Sequence, residues 1–539
     1  MADTLSRSSP YTGTALPEGQ PFWIVDGKAY DLTEWMSRHP GGPIWFAQTE
    51  GRDISALLHT YHRDPARLQK ILAKYEIKEL GGQEVRPKLV APFRISDKNV
   101  LPGPVPTEQD VLPKLGVPPF LLPPEFNAST DLPRLDYRDQ GSLLAAIRGR
   151  VNDRFSKRAL KRYDRVFDVV TWAIALAHVA ALALLIARLI PAWAFVLVMV
   201  ITRTALAGSG HYHLHRKWKP GKPDNPTPFT LPMGKALFDI NYVGTSLIGT
   251  DGHVLLHHPY LGSGADVKKT FFDGMLRLHP VLRVPGYTLH KLGICLTGLP
   301  LRAREITKFE RPKPSTPDGV PFSRDGIRAD FWLIRAWIVA EFALCLATGH
   351  IVAWLVQFFL ALWVNTFLVV ASHDFEEPNS EEELAVIPEP LRDDWAARQI
   401  CLSYDLSVVG NRYVDLFLSA GLSPHRVHHV LPWQGSGFAN LACEDVVREV
   451  CAEAGIAWAR PRNLITNRFP AVIKHYLTCP VKPSFVLSFA APPPGMPPPP
   501  DGGPPPFPVQ LAAPPRATAW THVAEMFRYG FEGFKGVGV

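Results

Sequence analysis

Residues 166–190 read VFDVVTWAIALAHVAALALLIARLI, twenty-five positions interrupted by charge only at Asp168 and Arg188. An α-helix rises about 1.5 Å per residue, so about 20 apolar residues cover the ~30 Å hydrocarbon layer of a bilayer. This run is long enough to cross. A second run, Ala192–Ser209, follows directly after Pro191 and carries one late charge, Arg203. A third, Phe331–Thr348, holds Arg335 and Glu341, and a fourth, Ile351–Ser372, holds no charged residue. A soluble protein can bury one such helix in its core. Four, arranged as two hairpin-like pairs, predict a polytopic membrane domain.

The flanking charge predicts the orientation. Arg148 to Arg165 contains eight Lys/Arg against two Asp immediately before the first span. Arg216, Lys217, Lys219 and Lys222 follow the second span, and a basic cluster over Arg302–Lys313 precedes the third. The connectors inside each pair, at Pro191 and at Gly349–His350, are very short. By the positive-inside rule the N-terminus, the central segment and the C-terminus all face the cytosol. Glu341 inside the third span is open to two readings: an expensive and therefore functional intramembrane carboxylate, or an edge residue of a shifted span. His178 in the first span reads as a hydrogen-bonded residue of the helix bundle.

Around these spans the chain is heterogeneous. Its 539 residues have a mean hydropathy of zero, 46% hydrophobic and 20% charged residues, and a formal charge of +7. Such a composition excludes a wholly disordered chain and a disulfide scaffold, and the mild charge gives no reason to invoke nucleic acid. The 53 prolines exclude one compact domain throughout, because each fixes φ and removes a donor. The six cysteines form no CxxC pair and read as reduced thiols. The N-terminus has no apolar core of a signal peptide, so insertion is expected from the internal segments. Residues 81–140 read as a linker. Residues 481–517 read as a proline-rich disordered segment, with 13 prolines among the 24 residues from Pro492 to Pro515. Residues 518–539 form a tail with a short amphipathic helix.

Ahead of the linker stands PFWIVDGKAYDLTEWMSRHPGGPIWFAQTEGRDISALLHTYH. Alternation through Trp23, Val25, Tyr30 and Leu32 predicts short strands, and Trp35 begins a helical stretch. Pro40, Gly41 and Gly42 turn the chain directly after His39, so its imidazole projects from a loop. His62 follows 23 residues later, after a further helical stretch. This loop–helix–loop separation lets two imidazoles approach one iron from opposite faces. The string WIVDGKAYDLTEW, HPGG and GRDIS…H, in that order, resembles the cytochrome b5 family over roughly residues 20–80. The resemblance implies haem b with His39 and His62 as axial ligands. His59 competes for the second role, and the family spacing favours His62. Two protein ligands leave the iron no open position, which makes such a haem an electron carrier.

Three further histidine clusters stand next to the spans. His211 and His215 lie four apart after the second span, on one helix face. His253, His257 and His258 occupy GHVLLHHPY in the central segment, and His425, His428 and His429 occupy SPHRVHHVLP after the fourth span. With four spans all three clusters emerge on one side, and eight imidazoles suffice to hold two iron ions. His213 faces away from its neighbours and reads as an outer-sphere or solvent-facing residue.

The spacings HxxxH, HxxxHH and HxxHH around paired spans resemble the membrane fatty acid desaturase family, loosely over residues 141–460. The fused haem module resembles its front-end type, which includes fatty acyl and sphingolipid desaturases. His425 and Val427 stand where front-end members usually carry glutamine and glutamate. The resemblance also implies His373, leaving the fourth span in VVASHDF, as a ninth metal ligand. The expected architecture is a small α+β haem-binding cytochrome b5-like domain (18–80), the linker, and an all-α polytopic membrane domain (141–480). That second domain would have about four transmembrane helices and a cytosolic histidine-rich di-iron cap. The implied activity is an O2-dependent acyl-lipid desaturase using haem b and two iron ions. Its implied partners are an NADH-dependent cytochrome b5 reductase, O2, membrane lipid and a fatty acyl or sphingoid substrate. Its implied location is the endoplasmic reticulum membrane with both termini cytosolic. A hydroxylase or acetylenase on the same scaffold, or a non-catalytic membrane haem electron-transfer protein, are the alternatives.

Overall fold

A computed structural model of the chain describes residues 21–40, 46, 54–77, 142–216, 237, 240, 257–259, 261, 278–297, 324–373, 387–480, 486–489, 509–512 and 518–532. The expected linker at 81–140 lies outside the described residues.

The N-terminal module opens with antiparallel strands β1 (Trp23–Val25) and β2 (Lys28–Tyr30), in which Trp23 faces Tyr30. Asp26 and Gly27 between them take positive φ, 52° and 77°. An Asp-Gly pair closes such a two-residue hairpin because it tolerates the left-handed region. Helices α1 (Thr33–Met36), α2 (Ser55–Tyr61) and α3 (Pro65–Leu72) follow. The Asp64 side chain accepts from Arg67 N at 3.1 Å, and Pro65 occupies the first turn, which suits a helix start. Trp23, Leu32, Met36, Phe46, Leu58 and Leu72 form one small core, and Trp23 Nε1 donates to the Phe46 carbonyl at 3.1 Å.

The rest is mainly helical: α4 (Leu143–Arg154), α5 (Lys157–Ile186), α6 (Ala192–Leu214), α7 (Pro280–Thr297), α8 (Arg324–Ala347) and α9 (Ile351–Ala371). Ser142 and Ser156 cap α4 and α5 through their hydroxyls. The tight returns before α6 and α9 use Arg188 at φ 59° and Gly349 at φ 78°. The helices coincide closely with the four apolar runs. Among the described residues, two stretches, Lys157–Ile186 and Ala192–His213, are long and apolar enough to cross a membrane, and Ile351–Val364 is a shorter apolar helix.

The helices α5, α6, α8 and α9 are apolar outward, and the apolar core between them, which includes Leu182, Phe195, Trp354 and Phe358, encloses a polar network. Val169, Leu176, Trp193, Leu197, Val339, Leu346, Val352 and Phe359 are exposed. His178, Arg203, Glu341 and Gln357 are buried between the helices. His178 Nδ1 meets Thr202 Oγ1 at 2.8 Å, and its Nε2 meets Glu341 Oε1 at 3.0 Å. Arg203 pairs with the other Glu341 oxygen and donates to Gln357 Oε1 at 3.1 Å and the Ile240 carbonyl at 2.6 Å. Glu341 is therefore an interior ion-pair partner rather than an edge residue, and His178 is hydrogen-bonded within the bundle as expected. Removing one member of a buried pair leaves the other charged and uncompensated. Glu341→Ala is expected to lower stability by about 3–5 kcal/mol, and Glu341→Gln by less, as read by unfolding in detergent micelles.

Beyond α9 come α10 (Trp395–Cys401), strand β3 (Leu406–Ser407), α11 (Arg412–Leu418), α12 (His425–Val430) and α13 (Gly437–Glu453). Strand β4 (Arg462–Asn463) pairs parallel to β3, and a π-turn (Leu464–Arg468) leads into α14 (Phe469–Thr478). Leu144, Ile147 and Val151 of α4 pack with Trp395, Ile400, Val427, Val430 and Val447 in the largest core cluster. Cys345, Cys401, Cys443, Cys451 and Cys479 are free thiols.

The segment expected to be disordered polyproline holds two antiparallel strands, β5 (Val486–Phe489) and β6 (Val509–Ala512), with Val486 opposite Ala512. Both strands are free of proline, so every residue keeps the N–H that a ladder needs, and VLSF and VQLA are rich in strand-forming types. The tail forms α15 (Ala519–Glu532), which packs on α7 where Met526 approaches Gly286. Arg283 of α7 donates to the carbonyls of Tyr476, Cys479 and Pro480, tying this corner to the end of α14.

Candidate metal centre

Each histidine cluster is positioned by a different constraint. His211 and His215 sit one turn apart at the end of α6. That end is pinned by Tyr212, whose hydroxyl donates to the Gly421 carbonyl at 2.9 Å, and by Gly208, which lies against the Ala420–Gly421 backbone. His257 and His258 precede Pro259, whose carbonyl accepts from Trp395 Nε1 at 3.0 Å. His425, His428 and His429 lie on α12. The buried Asp405 carboxylate accepts from Arg426 N in the first turn of α12 at 3.0 Å, a placement favoured by the positive end of the helix. Burial raises the Asp405 pKa, with Arg426 and Arg412 opposing that shift. His373 leaves α9 in a bridge to Ser403, and its carbonyl accepts from Arg468 at 3.2 Å.

These elements bring eight of the nine proposed metal-ligating histidines together; His253 lies outside the described residues. Two groups form. His211, His215, His258 and His428 offer ring nitrogens within 4.8 Å of one another, as do His257, His373 and His429. His425 joins the second group, its ring 4.6 Å from His373 and 4.5 Å from His429. The adjacent pairs His257–His258 and His428–His429 are each split between the groups. His258 and His429, with rings 4.5 Å apart, form the shared wall. Burial, followed by the neighbouring imidazoles, holds both well below the ordinary histidine pKa, so they are neutral nitrogen donors at pH 7. An all-imidazole set suits iron, zinc or copper rather than the oxygen-seeking calcium and magnesium.

Outer partners fix the ring orientations. His373 Nδ1 meets the Leu402 carbonyl at 3.2 Å, and His425 Nδ1 meets the Tyr404 carbonyl at 3.2 Å. His429 Nδ1 meets Gln399 Oε1 at 2.8 Å. The Gln399 amide is itself oriented because its Nε2 donates to the His258 carbonyl at 2.9 Å. With both Nδ1 hydrogens donated outward, the Nε2 lone pairs of His425 and His429 face each other at 3.1 Å. A bound cation relieves that opposition, so the donor set fits metal ions. Gln399 carried no spacing signal in the sequence; its role follows only from the tertiary fold. Outer-sphere partners of this kind set metal affinity, and Gln399→Leu is expected to weaken non-haem iron binding by about 10–100-fold in a chelator competition.

His213 belongs to neither group. It is buried, its Nδ1 is 2.5 Å from the Ser209 carbonyl, and its Nε2 lies 3.4 Å from Asp168. Of the two expected readings, solvent exposure is the one the structure removes.

In the N-terminal module the His39 and His62 rings stand 6.0 Å apart between centroids. That spacing is close to what one metal ion fills when each imidazole binds it at about 2 Å. His62 Nδ1 meets the Leu58 carbonyl at 2.7 Å. His59 is buried and pairs with Asp26 at 2.7 Å. The module rests on α4: Arg148 donates to the His59 carbonyl at 2.6 Å, and Arg63 donates to Asn152 and, at 2.7 Å, to the Phe155 carbonyl.

Comparison with known proteins gives both halves a likeness. Residues 14–81 match the cytochrome b5-like heme/steroid binding domain family, and residues 235–461 match the fatty acid desaturase family. A cytochrome b5-related protein of Drosophila virilis is 34% identical over 62 residues, 12% of this chain and 43% of that protein. The Delta(5) fatty acid desaturase A of Dictyostelium discoideum is 41% identical over 69 residues, 13% of this chain and 15% of its own. The chain thus spans less than half the length of these two relatives. The acyl-lipid omega-13 desaturase of Chlamydomonas reinhardtii is 22% identical over 84% of this chain and 92% of its own length. No solved structure matches.

Proposed function

We propose that a chain joining a cytochrome b5 domain to a fatty acid desaturase domain, as this one does, introduces a double bond into a fatty acyl or sphingoid chain, using O2 and haem-delivered electrons. The observation that carries this reading is the pair of buried imidazole groups meeting at His258 and His429, with the haem module docked beside them. His211, His215, His258 and His428 would hold one iron. His257, His373, His425 and His429 would hold the other, with His253 as a further ligand. His39 and His62 would hold haem b. When bound, the irons supply the oxygen activation needed to remove hydrogen from an unactivated C–H bond, and the doubly liganded haem supplies single electrons.

The chain's own residues do the rest. Gln399 and the carbonyls of Leu402 and Tyr404 hold the Nδ1 hydrogens, which aims the Nε2 atoms inward. Trp395 and, on α12 itself, Val427 and Val430 are fully buried in one core and keep water away from the metal ligands. Helices α5, α6, α8 and α9 are read as four membrane spans, supported by their exposed apolar belt. The basic flanks support a reading in which both termini and the histidine cap are cytosolic; on that reading the membrane would be that of the endoplasmic reticulum and the electron source an NADH-dependent cytochrome b5 reductase. Lipid profiling of cells expressing the protein, with His257→Ala as control, tests the reading. A new unsaturated acyl or sphingoid species in the wild type alone is expected. An unchanged profile across several supplied chains contradicts desaturation, and a hydroxylated product favours the hydroxylase reading instead.

A further inference from the structure

We infer that Tyr61 is the electron bridge from the haem module to the first iron group, an assignment that rests on the proposed function. Tyr61 is the last residue of α2 and the immediate neighbour of His62 in the chain. Its ring lies parallel to that of His215, with an interplanar angle of 8° and a centroid distance of 6.2 Å. It also meets the His258 ring edge to face at 6.3 Å. One aromatic side chain therefore spans from the backbone of a haem ligand to two members of the four-histidine group. Aromatic rings at these separations are in contact through their π-systems.

The placement is enforced from both sides. Arg148 holds the carbonyl of His59, two residues before Tyr61, and Arg63, two residues after it, is held by Asn152 and the Phe155 carbonyl. The end of α2 is thus clamped onto α4 on either side of the ring. The Tyr61 hydroxyl is sealed from solvent and makes no hydrogen bond among the described residues. A buried hydroxyl without a partner is costly, and packing of the ring must offset that cost.

The Tyr61 ring would serve as a tunnelling path and is itself neither oxidised nor reduced. For each transfer, a haem held by His39 and His62 would give up one electron, and an iron held by His215 and His258 would take it up. No bond forms or breaks. The ring, not the hydroxyl, is the working part.

The test uses the full-length protein loaded with haem and iron, without O2 or substrate. The haem is reduced by a flash from a photoexcited flavin, and the decay of the ferrous haem band is followed. A fast decay phase is expected in the wild type and in Tyr61→Phe, and its loss is expected in Tyr61→Leu. Haem spectrum, haem potential and iron content should be equal in all three. Equal decay in wild type and Tyr61→Leu, or loss of the fast phase in Tyr61→Phe, overturns the bridge. Iron counting on the same samples separates the claims. Two non-haem irons with equal decay overturn the bridge alone, whereas haem iron alone contradicts the proposed function and removes the acceptor with it.

Discussion

His258→Ala is expected to lose non-haem iron and product formation together while leaving the haem spectrum intact. The His258 ring stands 4.7 Å from His215, 4.7 Å from His428 and 4.5 Å from His429. It is a member of one imidazole group and the wall of the other. Losing an outer-sphere partner alone costs about 10–100-fold in metal affinity. Losing a ring from the inner set should exceed the upper end of that range. The substitution spares the His258 carbonyl, so Gln399 keeps its anchor, and the effect isolates the ring. His39 and His62 lie in a module with its own core. Haem absorbance should therefore match the wild type. Iron content unchanged from the wild type would show that the four-histidine group does not hold metal.

Gly208→Ala is expected to damage the metal site without altering any histidine. A Cβ at Gly208 would lie 2.3 Å from Ala420 C, 2.6 Å from Gly421 N and 2.7 Å from Ala420 O, all backbone atoms. The turn has little room to yield, because Ala420 and Gly421 hold positive φ, 53° and 89°. Tyr212, one turn further along α6, is tied to the same Gly421. Relief must come from α6 moving away, which carries His211 and His215 off His428, whose ring is 4.6 and 4.7 Å from theirs. Overpacking typically costs about 1–3 kcal/mol, with backbone contacts this short expected at the upper end, and iron should leak from the variant during purification. Gly149→Ala is the control. Nothing lies within 4 Å of its would-be Cβ in α4, and replacing a helical glycine there should stabilise by about 0.5–1 kcal/mol. Equal iron retention in both variants would refute the argument.

Much of this was legible from composition runs and short spacings. The fourth apolar run, Ile351–Ser372, became the helix Ile351–Ala371, because an uncharged run has only one comfortable secondary structure when unpaired backbone is costly. The HxxxH of His211 and His215 is a one-face signal, and both fell into one group. The adjacent pairs were different. Neighbours on a helix diverge by roughly 100°, so no spacing rule says which metal His257 or His258 serves. Long-range packing decides it. Gln399, Asp405 and Tyr61 have no local pattern at all; each acts on residues 20 or more positions away. His213 was ambiguous because its partner, Asp168, lies on the preceding helix. The strands β5 and β6 were hidden by the proline count around them, which says nothing about the proline-free stretches between.

The central claim is that one chain carries a haem and a two-metal imidazole site in contact. Metal counting on the purified full-length protein, with haem measured by absorbance and total iron by mass spectrometry, tests it most directly. The account predicts two non-haem irons for every haem. Haem iron alone, with the eight clustered imidazoles unmetallated, would contradict it.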